Sequence, residues 1–250
     1  MSIYESISEY YERIFPLKKG RVTFLESLLK KENQKILDIG CATGELALAL
    51  SSKGHRIIGI DLDENMVNSA RAKAKGEGDK SQFYVKDMLN VRKEFPENSF
   101  DAVFCLGNTL VHLKNLHEIG VFIKGASSIL KKDGIFIIQV VNFERVLTGQ
   151  ISGLPLVQNE TFAFERKYHY DKNQHHVIFK TCLFLKKSGE SIKSYQLFYP
   201  LTFEELKPVL AAAGFSRSRF VENENRAPIT KNSPGLICIS RKSKCPLKDG

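Results

Sequence analysis

Three carboxylates fall where short apolar runs end: Asp38 after Lys35-Ile36-Leu37, Asp61 after Ile57-Ile58-Gly59-Ile60, and Asp87 after Phe83-Tyr84-Val85. Gly40 and Gly44 follow the first acid at a Gly-x-x-x-Gly spacing. Glycines there let backbone approach a ligand closely, and a helix starting just after them presents unpaired N–H groups. The Gly-x-Gly-x-x-Gly spacing that cradles a pyrophosphate is absent, and an acid before the turn suits an ammonium better than a phosphate. A carboxylate ending the second run can accept both hydroxyls of a ribose. With no Lys or Arg among the three acids, the expected ligand is a nucleoside that carries positive charge and no phosphate.

Such a site needs strands whose carboxyl ends meet at one edge. Residues 35–39, 55–60, 82–85, 100–105 and 135–141 are continuous apolar runs, the pattern of strands covered on both faces. Amphipathic stretches at 45–53, closed by Gly54, and at 63–75 read as crossover helices, while 2–13 and 18–31 read as two N-terminal helices broken near Pro16 and Gly20. After about residue 144 the pattern changes to period-two alternation over 162–170, 177–186 and 191–199, with turn signals at Asp171-Lys172-Asn173 and Ser188-Gly189. That predicts an inserted three-stranded antiparallel lobe. Thr202, with Glu205 three residues on, starts a helix over 202–213 that Gly214 ends, and strands near 215–222 and 235–240 close the chain. The expected division is a ligand-binding core with N-terminal lid helices over 1–143, a covering lobe over 144–200, a helix and strands completing the core over 201–240, and a basic tail over 241–250.

These segments resemble the class I S-adenosylmethionine-dependent methyltransferases. Motif I stands as Ile36-Leu37-Asp38-Ile39-Gly40-Cys41-Ala42-Thr43-Gly44, the ribose acid as Asp61 and the adenine-edge acid as Asp87, with Ala42 where the family often has glycine. S-adenosylmethionine, a nucleoside with a sulfonium and an amino group, matches the ligand that the acids describe. The resemblance implies an α/β, Rossmann-like sheet, mostly parallel with an antiparallel final strand, and helices on both faces. It implies donor contacts from Asp38, Gly40, Cys41, Gly44, Asp61, Asp87, Met66, Leu106 and Gly107. Leu62 and Met88 would flank the adenine ring, and Tyr10 or Tyr11 would close over the donor.

On the acceptor side, Leu106-Gly107-Asn108-Thr109 and Asn142-Phe143-Glu144-Arg145-Val146-Leu147 resemble the glycine N-methyltransferase group and its small-molecule relatives. Phe198-Tyr199-Pro200 leading into Phe203-Glu204-Glu205-Leu206 extends the likeness, and the Asn/Asp-Pro-Pro-Tyr/Phe sequence of adenine- and glutamine-directed enzymes is absent. The implied reaction is methyl transfer to N or O of a small-molecule acceptor, with Asn108 and Asn142 as catalytic candidates and Tyr199 as an acceptor contact. In-line displacement demands alignment and exclusion of water, and a base only where the nucleophile must lose a proton. Arg145 and Arg166 are the cationic candidates for an anionic acceptor; surface pairing with Glu144 and Glu165 is the competing role. His112 could act as a base, although its apolar helix-start setting favours a structural role. His175-His176 at a hairpin has no third ligand nearby, so no metal is expected.

Composition narrows the rest. Hydrophobic content of 42% with 26% charged residues is ordinary for a soluble globular protein. No apolar run reaches the ~20 residues of a spanning helix, and Met1-Ser2-Ile3-Tyr4-Glu5 lacks a secretory start. The expected address is the cytoplasm, without a membrane partner. Cys41, Cys105, Cys182, Cys238 and Cys245 form no C-x-x-C pair, so neither zinc nor a disulfide framework is expected. The net charge of +9 would suit an RNA-modifying methyltransferase. The lysines are spread along the chain, however, and the run Arg241-Lys242-Ser243-Lys244 lacks interleaved aromatics, which reads as a solvated terminus. A nucleic-acid partner is therefore disfavoured. A non-catalytic donor-binding regulator is the other alternative.

Overall fold

The computed structural model describes residues 7–29, 32–74, 76, 80–215 and 217–243. The strands in chain order are β1 (Lys35–Ile39), β2 (Arg56–Asp61), β3 (Ser81–Val85), β4 (Phe100–Cys105), β5 (Leu130–Val141), β6 (Gly153–Gln158), β7 (Phe162–Asp171), β8 (His176–Leu185), β9 (Ser191–Phe198), β10 (Arg217–Val221) and β11 (Gly235–Arg241). Seven of them form one sheet in the order β10-β11-β5-β4-β1-β2-β3. β1 to β5 run parallel, and β11 is antiparallel to both β5 and β10. This is the expected Rossmann-like arrangement. The strand order reverses between β1 and β4, where carboxyl ends splay apart and leave a crevice.

Alternation along the apolar strands divides the core in two. Leu37, Ile39, Val103 and Phe136 pack on one face with Phe122 and Ile123. Ile36, Phe104 and Ile137 pack on the other with Leu50 and Val67. The helices Glu45–Ser51 and Glu64–Lys73 appear where crossovers are expected. A further crossover helix, Leu116–Ile129, is not among the sequence expectations, although its signals are present. Asn115 caps it by accepting the Glu118 N–H at 2.9 Å, and Ile119, Phe122, Ile123 and Ala126 form its buried stripe.

The lobe has four antiparallel strands, in the order β6-β7-β8-β9, where three are predicted. The extra strand, β6, contains Pro155, and its register against β7 shifts between Leu154 and Val157, which destroys a clean period-two signal. Ile7 and Ile14 of the N-terminal segment pack against Phe162, Phe164 and Leu183 of the lobe. Lid and lobe thus share one small core. Of the first predicted helix, residues 2–6 lie outside the described region; the remainder is a 3-10 turn, Ser8–Tyr10, followed by Tyr11–Ile14. The second helix, Lys19–Glu26, stops short of the predicted end.

The capping box at Thr202 and Glu205 forms with both reciprocal bonds. Arg241 and Lys242, read from sequence as the start of a solvated tail, are folded onto the sheet. Arg241 ends β11, and its guanidinium donates to the carbonyls of Asp133 and Leu28, each at 3.2 Å. Lys242 Nζ donates to the Leu130 carbonyl at 2.7 Å and to Asn98 Oδ1 at 2.9 Å. Carbonyls at the ends of neighbouring elements supply these acceptors, a tertiary arrangement that a charge run does not reveal. Residues 244–250, with Cys245, lie outside the described region. No helix among the described residues is long and apolar enough to cross a membrane.

Candidate active site

The turn after β1 is held open by backbone geometry. Gly40 N–H and Cys41 N–H both donate to the Ile60 carbonyl of β2, at 2.8 and 3.0 Å. Gly40 and Gly44 have φ of 69° and 79°. A Cβ at Gly40 would stand 2.4 Å from Thr109 Oγ1, and one at Gly44 would stand 2.8 Å from both Ala70 Cβ and the Phe83 ring. Left-handed backbone and close neighbours therefore both demand glycine here. Ala42 also lies in the left-handed region, at φ 47°, a conformation that glycine adopts more easily. The Ala42 and Asp63 amides donate to the two oxygens of Asp61, at 2.9 and 3.0 Å. Each oxygen keeps a further lone pair for a hydroxyl.

A cavity of about 380 Å³ opens beside this turn. Of the predicted donor residues, Tyr11, Gly40, Asp61, Leu62, Met66, Met88, Leu106 and Gly107 line it. The apolar wall includes Leu62, left 65% exposed at the rim. Five others do not line it. Tyr10 packs edge-on against Phe162 beneath the Arg13 guanidinium. Asp38 and Cys41 are buried behind the turn, and Gly44 is spent on its contact with Ala70 and Phe83. Asp87 caps the turn Met88–Asn90, accepting the Leu89 N–H at 2.9 Å, so its neighbours Lys86 and Met88 reach the cavity instead. Lys86 corrects the expectation of a site without cations, although it is paired with Glu94. Asp63, Thr109, His112 and Gln196 are also in the wall. Asp63 has a legible signal as the N-cap of Glu64–Lys73; Gln196, brought in by the lobe, has none.

The electrostatics ask for a cation. Burial first, then the field of Asp61, push the Asp38 carboxyl up to about 7, with Arg21 opposing. Burial also raises Asp61, partly offset by the amides of Asp63 and Ala42. The Tyr11 phenol is raised by burial and then by Asp61 and Asp38, so it remains a hydroxyl donor. One buried and one half-buried carboxylate without sufficient positive charge fit a ligand that brings an ammonium and a sulfonium. His112 shifts the other way: burial lowers it to about 4, leaving the ring neutral at pH 7.

The predicted acceptor residues do not converge. Asn108, at φ 75°, uses Oδ1 to accept the Val141 N–H at 2.8 Å, tying the end of β4 to that of β5. Asn142 donates from Nδ2 to the Ser233 and Lys231 carbonyls at 3.0 and 3.3 Å and accepts the Glu144 N–H. Tyr199 donates its hydroxyl to Glu205 at 2.6 Å. Arg166 donates to the Pro155 carbonyl at 2.6 Å and lies near the Phe15 and Phe164 rings, while Glu165 pairs with Lys167. None of these side chains lines the donor cavity, nor does Arg145 on the short helix Glu144–Leu147. A second cavity, of about 570 Å³, adjoins the first and shares His112 and Gln196 with it. Its wall comes from Lys114, His176 and residues 193–197 of β9.

Residues 36–134 match a family model described as a methyltransferase domain. The chain is 31% identical over 194 residues to carboxy-S-adenosyl-L-methionine synthase of Wolinella succinogenes, a match covering 75% of this chain and 71% of that protein. It is 26% identical over 138 residues to human glycine N-methyltransferase, covering 50% of this chain and 47% of that enzyme, so it spans about half of that relative's length. An S-adenosylmethionine-dependent methyltransferase from Clostridium acetobutylicum shares the fold with a TM-score of 0.80 at 15% identity, over 97% of this chain and 100% of that one. With that likeness added to a cation-seeking turn at the reversal of a seven-stranded sheet, the chain belongs to the class I S-adenosylmethionine-dependent methyltransferases.

Proposed function

We propose that the protein transfers a methyl group to a nitrogen or oxygen of a small molecule that enters through the second cavity. The observation that carries this reading is that the two cavities adjoin, with His112 and Gln196 in the walls of both and Gln196 supplied by the lobe. The likeness to glycine N-methyltransferase supports a small acceptor. S-adenosylmethionine, when bound, supplies an activated methyl on its sulfonium.

The chain's own residues then have distinct tasks. Asp61 would accept the ribose hydroxyls, and Leu62 and Met88 would sandwich the adenine. Asp38 and Asp61 together favour the donor's positive charge. Tyr11, on a segment pinned to the lobe by Ile7 and Ile14 and to Lys73 through Glu12, would exclude water from the reacting centre. His112 lines both cavities and is neutral, so its ring would orient the acceptor through a hydrogen bond; burial disfavours its protonated form, and a proton that an acceptor releases would pass to water. Asn108 and Asn142 act as positioning residues, fixing the strand ends that carry the two walls.

Isothermal titration with S-adenosylmethionine, followed by detection of S-adenosylhomocysteine over pools of small amines and hydroxyl compounds, tests the reading. Saturable donor binding with turnover on a small acceptor is expected. Turnover that requires tRNA or rRNA, with none on small acceptors, overturns it, as does tight donor binding with no turnover on any pool.

A further inference from the structure

We infer that the acceptor is an anion, a small molecule whose carboxylate or phosphate is held between Lys114 and Lys193 while its nucleophilic end reaches past His112 toward the donor. This rests on reading the second cavity as the acceptor's. The walls of that cavity carry Lys114, Lys193, His112 and His176, and no carboxylate. Some lysines elsewhere are neutralised by acids, Lys73 by Glu12, Lys86 by Glu94, Lys131 by Asp101 and Lys167 by Glu165, while many on the open surface are not; what sets Lys114 and Lys193 apart is that both stand in the wall of one cavity. Lys114 and Lys193 make no ion pair among the described residues. The Glu118 carboxylate lies close by, accepting the Lys114 backbone N–H at 2.9 Å, but is outside the cavity wall; side-chain charge of one sign along a concave wall focuses the field and concentrates ligands of the other sign.

The two lysines come from different parts of the fold, and the structure fixes them relative to each other. Lys114 precedes the helix Leu116–Ile129 of the core, and Lys193 lies on β9 of the lobe. His176, at the β7–β8 hairpin, joins the two parts: Nε2 lies 3.1 Å from the Lys114 carbonyl and Nδ1 lies 2.7 Å from that of Gln174. The adjoining donor cavity has the opposite character, with Asp61 and Asp63 in its wall. A cationic donor and an anionic acceptor are thus drawn to two adjoining cavities that share His112 and Gln196.

The test uses simple anions first. Inorganic phosphate and acetate are titrated, at constant ionic strength, into the free protein and into the protein saturated with S-adenosylhomocysteine, with binding read by NMR shifts. Saturable millimolar binding is expected, stronger for whichever group the natural acceptor carries, and weakened tenfold or more in the Lys114→Gln/Lys193→Gln double variant. Lys193→Arg should restore part of it, and the affinity for S-adenosylhomocysteine should stay within twofold in every variant, which reports an intact fold. Active acceptors are then compared as free acids and as neutral methyl amides. Acids should be preferred, and the double variant should raise their KM tenfold while leaving kcat within a few-fold. Non-saturable anion shifts, shifts identical in the double variant, or a preference for the amides overturn the proposal. Failure of the wild type to bind S-adenosylhomocysteine would instead overturn the donor site, a result that the titration of free protein keeps separate.

Discussion

Donor binding should expel a proton from the site. Asp38 is buried beside Asp61, and its carboxyl is raised from 3.8 to about 7. A carboxyl with a folded value above its unfolded one holds more protons when folded, so stability falls as pH rises from about 4 to about 7. Over that range the cost amounts to about 4 kcal/mol, at 1.36 kcal/mol per tenfold change in proton affinity. Asp38→Asn should therefore stabilise the ligand-free protein toward that ceiling at pH 7.5 and change little at pH 4, as urea denaturation at the two pH values will read. A bound cation reverses the preference by favouring the carboxylate. At pH 6 roughly nine-tenths of the free protein carries the proton, and the donor must displace it, so its affinity should be about tenfold weaker at pH 6 than at pH 7.5. Titration calorimetry in two buffers of different ionisation enthalpy counts the proton directly: nearly one released at pH 6, few at pH 7.5. Equal affinities at both pH values with no buffer dependence would refute the reasoning, and Asp38→Asn should flatten the profile.

Three substitutions separate structure from chemistry. Gly44→Ala places a side chain at φ 79° and 2.8 Å from Ala70 and Phe83, and should cost about 2–4 kcal/mol in urea unfolding. Tyr199→Phe removes the hydroxyl that donates to Glu205 and should cost about 1–2 kcal/mol while leaving donor affinity unchanged, contrary to a role in holding the acceptor. Asn142→Ala strands the Ser233 carbonyl and the Glu144 amide, so thermal and urea stability should fall by about 2–3 kcal/mol with the donor Kd kept; a stable variant with kcat alone reduced would return Asn142 to the catalytic group.

The core sheet and the donor turn were legible because their causes are local. A buried parallel strand is written as an apolar run, and the left-handed backbone after β1 is by itself enough to favour glycine at 40 and 44, so Gly40, Gly44 and Asp61 can be found without knowing what lies across from them. The acceptor side has no such economy. A polar residue at a strand end can face a ligand or satisfy a neighbouring backbone group, and the sequence is the same in both cases. Asn108, Asn142 and Tyr199 took the second course, binding Val141, the Ser233 region and the capping box. Whether a strand residue faces a cavity depends in turn on how its sheet is placed over the core. β9 delivers Gln196 and Lys193 through the pairing of four strands, one of which carries a register shift that hides it from period-two analysis. The same reasoning explains the basic composition. Arg241 and Lys242 are held by carbonyls and four lysines by acids, other lysines lie on open surface, and Lys114 and Lys193 stand together in a cavity wall. Net charge is a sum over residues with different partners, and only the placement of the uncompensated ones says what the protein attracts.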